Sequence, residues 1–187
     1  MNEAHKVCGS DEWRATVREH IIPWAVSGDV ELGDDVLEVG PGYGATTEVL
    51  QEMVGRLTSV EIDPELAAAL VERYAGVDHV EVVEGDATAL DFPDARFSGA
   101  TSFSMLHHVP TPELQDRIFA EARRVLRPGG VFVAVDSVAS DDLRALHDGD
   151  TYNPIDPATV AERLRAVGFT AVDVATNELA WKAVART

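Results

Sequence analysis

Residues 35–45 read Asp-Val-Leu-Glu-Val-Gly-Pro-Gly-Tyr-Gly-Ala, and this stretch decides the fold. Asp35–Val39 is a short, largely apolar run with the β-branched content of a buried strand, and it passes without a spacer into three glycines set one residue apart. Such a turn needs glycine where the backbone takes positive φ or where a ligand approaches the main chain. A helix is expected over Ala45–Met53, with Gly55 beyond its end. A strand, a tight glycine turn and a helix make the opening unit of a parallel α/β sheet, in which ligands lie beyond the carboxyl ends of the strands.

The unit repeats outward from there. A strand is expected at 57–62, and Asp63-Pro64 then opens a helix with a capping carboxylate and a proline in the first turn, where its missing N–H costs nothing. Strands at 79–83 and 97–102 follow. Thr111-Pro112 repeats the cap-and-proline start of a helix that stops at Arg127-Pro-Gly-Gly130, and Val131–Val135 is apolar enough to be buried on both faces. Asp156-Pro157 starts a helix carried to Val167 and closed by Gly168. The runs 170–174 and 179–185 are separated by a turn too short for a crossover helix, so they pair antiparallel. The expected class is α/β: a mostly parallel seven-stranded sheet with helices on both faces and an antiparallel C-terminal hairpin strand. Residues 11–26 read as a leading helix that ends or bends near Pro23, followed by a polar linker, which gives one domain over 1–187 with a helical cap and linker at 1–34 and the core at 35–187.

Composition narrows the function. The apolar share of 45% and charged share of 26% are those of an ordinary globular chain. No apolar run reaches the roughly 18 residues of a membrane span, and the first residues lack the pattern of a secretory signal, so no membrane partner and a cytoplasmic location are expected. Cys8 is the only cysteine, which rules out an internal disulfide and a thiolate zinc cluster. Thirty-three acidic against 15 basic residues give a formal charge of −18, which argues against nucleic acid as a partner and slightly favours a cationic cofactor.

The carboxylates follow the sheet edge. Glu61, with Ile62 after it, ends the second strand about 20 residues beyond the glycine turn, where an acid accepts hydrogen bonds from ribose hydroxyls. Asp86, just past the third strand, is the next acid on that edge; it suits an adenine amino group, with the Ala87 N–H meeting a ring nitrogen. Glu38, immediately before the turn, is a poor neighbour for a pyrophosphate and a better one for a sulfonium.

These motifs resemble class I S-adenosylmethionine-dependent methyltransferases, from about Val36 to the C-terminus. Val-Leu-Glu-Val-Gly-Pro-Gly-Tyr-Gly (36–44) resembles their first motif, Val-Glu-Ile-Asp (60–63) their second, Glu-Gly-Asp-Ala (84–87) their third, the 97–109 segment their fourth strand and Leu-Arg-Pro-Gly-Gly (126–130) the turn before their fifth. The resemblance implies a Rossmann-like fold, S-adenosylmethionine as cofactor and methyl transfer by in-line displacement. It places Gly40 and Gly42 at the methionine end, Glu61 at the ribose, Asp86 and Ala87 at the adenine, and Ser102 and Phe103 near the sulfonium, with Glu38, Gly44 and Ile62 also on the cofactor side. Ser98 stands where the family usually has aspartate.

On the acceptor side, His107 or His108 is the expected general base, since histidine titrates near neutrality. Trp13 and His20 on the leading helix, and Asp136 and Tyr152 flanking a long irregular connection, are expected to meet the acceptor, taken to be a small molecule. Asp136 and Asp141-Asp142 find no matching metal ligands elsewhere in the sequence, so no metal is expected. Two rival readings share parts of the pattern: a non-catalytic S-adenosylmethionine-binding module, and a nicotinamide-dependent oxidoreductase, against which Tyr152 lacks a lysine at helical spacing.

Overall fold

The computed structural model describes residues 3–187, with side chains from Lys6 onward. Its seven strands are β1 (Asp35–Val39), β2 (Arg56–Glu61), β3 (Val80–Glu84), β4 (Phe97–Phe103), β5 (Leu126–Ser137), β6 (Ala171–Thr176) and β7 (Ala180–Arg186). They form one sheet in the order β3-β2-β1-β4-β5-β7-β6. β1 to β5 pair in parallel and β7 runs antiparallel to both of its neighbours. Strand order therefore reverses between β1 and β4, and the crevice of a doubly wound sheet lies there.

Two-residue periodicity sends alternate side chains to opposite faces. Val36 of β1 and Val131, Val133 and Val135 of β5 pack with Val17, Ile22, Val49 and Leu50. Leu37, Phe132 and Ala134 pack instead with Ile118, Phe119, Val160 and Leu164. The first face is covered by the leading helix and α3 (Ala45–Met53), the second by α5 (Pro112–Val125) and α7 (Pro157–Ala166). The proline-led starts form as expected: Asp63 caps α4 (Pro64–Arg73) through the Glu65 and Leu66 N–H groups, Thr111 accepts from Leu114 N–H, and Asp156 from Ala158 N–H.

Three local features differ from the sequence reading. The leading helix covers the expected stretch and ends near Pro23, but it is not one regular helix: α1 (Asp11–Thr16) leads into a π-helical turn at Val17–Ile21 and then α2 (Ile22–Ala25). The wider turn accommodates a residue that has no N–H to offer the preceding turn. β5 begins at Leu126, which pairs with Phe97 before the exposed Arg127–Gly129 segment and a register shift. Leu106–His108 forms a 3-10 turn. Apart from these three, α6 (Asp141–Leu146) forms in the connection after β5. Among the described residues no helix is long and apolar enough to cross a membrane.

Candidate functional site

A cavity of about 460 Å³ opens at the carboxyl ends of β1, β2 and β4, the sheet's reversal point. That volume lies within the roughly 300–1,000 Å³ of small-molecule sites. The glycine turn forms one wall, and its three glycines are needed for different reasons. Gly40 (φ 68°) abuts Met105, into whose side chain a Cβ would drive, and Gly44 (φ 77°) would place a Cβ 2.5 Å from Leu70 Cδ2. Gly42 (φ 54°) would meet no protein atom within 4 Å. The protein itself closes the space beside the outer two glycines, whereas the middle one borders only the void.

Glu61 ties the turn to the second strand. Its Oε2 accepts the Gly42 N–H at 2.8 Å and its Oε1 accepts the Asp63 N–H at 3.0 Å. An ionised carboxylate has about four acceptor positions, so this clamp holds its geometry and keeps capacity for a ligand's hydroxyls. Asp86 lies on the same rim, exposed, with its Oδ1 accepting Thr88 N–H at 2.8 Å; Ala87 and Ile62 line the cavity beside it. Four carboxylates, Glu61, Asp63, Asp86 and Asp150, line the cavity among the described residues, and no lysine or arginine does.

Phe103 ends β4 at the cavity wall, and Ser104 follows in a left-handed conformation (φ 53°), held by its N–H to the Val135 carbonyl at 2.8 Å. A non-glycine residue there stores roughly 1–3 kcal/mol of strain, which swings the chain off the sheet into the 3-10 turn that carries the histidines. His108 lines the cavity, with Met105, Leu114 and Ile118 adding apolar wall. Trp13 and Cys8 close the side towards the leading helix, and burial pushes the Cys8 thiol up, away from thiolate chemistry.

Several expected site residues stand elsewhere. Glu38 is buried beneath the glycine turn and does not line the cavity; Thr46 Oγ1, Thr47 Oγ1 at 2.7 Å and Ser59 Oγ at 2.6 Å all donate to it. Burial pushes its pKa up, against the downward pull of those hydroxyls. It supports the turn because strand alternation points it under α3 rather than over the edge. Ser102 is fully buried in β4 and Phe103, the next residue, takes the cavity position. His107 is also buried and absent from the lining: Asp136 meets its Nδ1 at 2.5 Å and its backbone N–H at 2.9 Å. Burial disfavours the imidazolium, but the Asp136 charge outweighs it and holds the His107 pKa above the ordinary value. Asp136 is thereby committed to His107 rather than to an acceptor. His20 is exposed outside the cavity lining, and Tyr152 bonds the Ser140 backbone.

The lining residues Tyr43, Met105, Leu114, Ile118 and Asp150 were not anticipated. Leu114 and Ile118 sit four apart on α5, a spacing that reads as core, and only the helix's first turns reach the cavity.

Comparison with known proteins gives this geometry a family. Residues 37–134 match the family described as methyltransferase domain. The chain belongs to that family. Its cofactor is S-adenosylmethionine, as the resemblance of the sequence motifs implied. A probable ribosomal RNA small subunit methyltransferase A from Methanothermobacter thermautotrophicus is 37% identical over 100 residues, 49% of this chain and 35% of the relative. A sterol 4-C-methyltransferase from Caenorhabditis elegans is 30% identical over 118 residues, 60% of this chain and 34% of the relative. The chain thus spans about a third of the length of these curated relatives. Among solved structures, a protein from Pyrococcus horikoshii superposes with a TM-score of 0.82 at 20% identity over 100% of this chain and 99% of its own. A SAM-dependent methyltransferase from Aquifex aeolicus gives 0.73 at 18% identity over 100% and 99%. At these identities the superpositions establish the Rossmann-like methyltransferase fold.

The relatives also correct one expectation. Several are named ribosomal RNA small subunit methyltransferases, so the restriction to a small-molecule acceptor and the exclusion of nucleic acid do not stand. Net charge weighs the phosphate contacts a surface can make; it does not choose which acceptor atom reaches a cavity.

Proposed function

We propose that this chain catalyses methyl transfer from S-adenosylmethionine, with the cofactor lying across Gly42, Glu61 and Asp86 and the acceptor entering beside His108. The observation that carries the reading is the charge of the cavity wall: among the described residues, four carboxylates without a lysine or arginine suit a cationic ligand and oppose a pyrophosphate. The cradle fits the cofactor's shape as well, since Gly42 leaves open the space a Cβ would fill.

S-adenosylmethionine supplies a methyl group already activated on a sulfonium. The chain's own work is then alignment and dryness. Glu61, fixed by two backbone donors, positions the ribose; Ile62 and Ala87 bracket the base; Phe103, Met105, Leu114 and Ile118 keep water from the transfer line. His108 is the protein group placed to take a proton from the acceptor, and His107, held by Asp136, stands behind it as a positioning residue. Within the expected 1–34 segment, the described residues from 3 onward act as a cap over the core at 35–187, contributing Cys8 and Trp13 to the wall.

A thermal-shift screen tests the cofactor and a transfer assay tests turnover. S-adenosylmethionine and S-adenosylhomocysteine should each raise Tm while NAD does not; a shift with NAD alone overturns the reading. Labelled methyl should then appear on an acceptor in a panel that includes small-subunit ribosomal RNA and sterols. Cofactor binding without transfer to any of them would favour the non-catalytic module.

A further inference from the structure

We infer that His107, His108 and His147 form a binding site for a divalent transition metal of the zinc class, opening on the cavity through His108. The three imidazoles come from two separate segments, the 3-10 turn after β4 and the C-terminal cap of α6. One ring nitrogen from each lies within 4.8 Å of the other two, and the ring centroids stand 4.2, 4.8 and 4.9 Å apart. Nitrogens bound tetrahedrally at about 2.05 Å from zinc are ~3.3 Å apart, so each need move by less than about 1 Å to close on a cation.

A second, independent feature points the same way: two of the rings are oriented from behind. Asp136 binds His107 Nδ1, and the Leu143 carbonyl accepts from His147 Nδ1 at 2.6 Å. A carbonyl accepts only, so His147 carries its proton on Nδ1 and Nε2 is the atom it offers a cation. Carboxylate and carbonyl partners on the far nitrogen are the arrangement that metal-ligating histidines show. Both orienting partners are built into the frame, Asp136 as a buried residue of β5 and Leu143 as part of α6.

Three imidazoles suit zinc, cobalt or nickel better than magnesium or calcium, which favour oxygen. Three protein ligands leave a tetrahedral ion one open position, as in catalytic rather than structural zinc sites. His108 and Asp150 both line the cavity, so that position borders the space assigned to the acceptor. There it would hold water or an acceptor oxygen and ease its deprotonation, with His108 serving as ligand in place of base. Metal binding stands on the histidine cluster alone; only this role rests on the methyl-transfer reading.

Co²⁺ titration of the EDTA-stripped, dialysed full chain tests the site. One equivalent should bind with the intense visible bands of tetrahedral cobalt and be displaced by Zn²⁺. His147→Ala should abolish those bands, and Asp136→Asn should weaken affinity roughly 10–100-fold, while His20→Ala, an exposed control, should bind as the wild type does. Absence of a stoichiometric tetrahedral spectrum in the wild type overturns the site, as does an unchanged spectrum in a folded His147→Ala. If that variant does not fold, the wild-type spectrum decides alone. Cofactor thermal shifts on the same samples separate the two readings: cobalt binding without a S-adenosylmethionine shift sinks the methyl-transfer assignment and leaves the metal site standing.

Discussion

Replacing Glu61 by glutamine changes one atom and tests the cofactor cradle directly. Both carboxylate oxygens accept backbone N–H groups, from Gly42 and from Asp63. In the amide, whichever position becomes NH₂ faces a donor, so one of these bonds is lost, the other loses its charge assistance, and the ribose meets a neutral partner. A hydrogen bond to a charged group contributes about 1.5–3 kcal/mol, which at 1.4 kcal/mol per decade predicts roughly 10- to 150-fold weaker S-adenosylmethionine binding. At 100 times the wild-type Kd the ligand stabilises by about 2.7 kcal/mol; a variant weakened 30-fold sees ~3 Kd and gains about 0.8 kcal/mol. For a chain of this size these values correspond to Tm rises of roughly 5–11 °C and about 2–3 °C. Each protein is compared with its own unliganded Tm, which removes any loss of intrinsic stability, and calorimetric titration supplies Kd. Wild-type affinity in a folded Glu61→Gln protein would refute the placement of the ribose at this carboxylate.

The glycines should separate by mechanism. Gly40→Ala meets both a positive φ and Met105 and should cost roughly 2–5 kcal/mol in urea unfolding, partly recovered in a Met105→Ala background, whereas Gly42→Ala should cost about 1–2 kcal/mol and chiefly abolish the cofactor shift. Ser98 Oγ accepts from Asp35 N–H at 3.0 Å and donates to Asp35 O at 2.9 Å; aspartate there cannot donate at neutral pH, so Ser98→Asp should destabilise by roughly 1–3 kcal/mol, and an unchanged urea midpoint would contradict this account. Folding raises the Glu38 pKa, so the folded chain keeps that proton to higher pH than the unfolded one. Its contribution is most favourable below the ordinary glutamate value of about 4.3 and declines as pH rises through the folded value. Glu38→Gln should therefore gain on the wild type between pH 5 and pH 8 in urea unfolding; a gap that narrows over that range would reverse the sign.

Most of the fold was legible because its signals are local. Asp35–Val39 and Ala45–Met53 form with the expected bounds, and each capped, proline-led helix starts where its side chain can accept the first N–H groups. The elements missed depend on partners distant in sequence. Leu126 joins β5 because Phe97 is there to pair with it, which Arg127-Pro-Gly-Gly130 concealed. The place of Glu61 and Asp86 on the cavity rim was legible for the same reason as the fold, since a strand end fixes where they emerge. The acceptor edge was not. Which of two adjacent histidines meets the cavity depends on the left-handed Ser104 and on Asp136, 29 residues away, and neither announces itself in the sequence.

The leading helix is fastened in two unlike ways on either side of its π turn. Val17, Ile22 and Ala25 are sunk in the core, whereas Asp11–Thr16 buries no side chain fully, rests on the core's edge through Trp13, and is tethered through Arg14 to Glu48, with Arg18 reaching Glu48 and Glu52. Exposed ion pairs weaken as salt shortens the screening length, and apolar anchorage does not. Raising ionic strength should therefore loosen the front of the helix, leaving it to the apolar contacts of Trp13 alone while its rear stays docked, and the dwell time of bound cofactor should shorten with salt well before the domain loses stability.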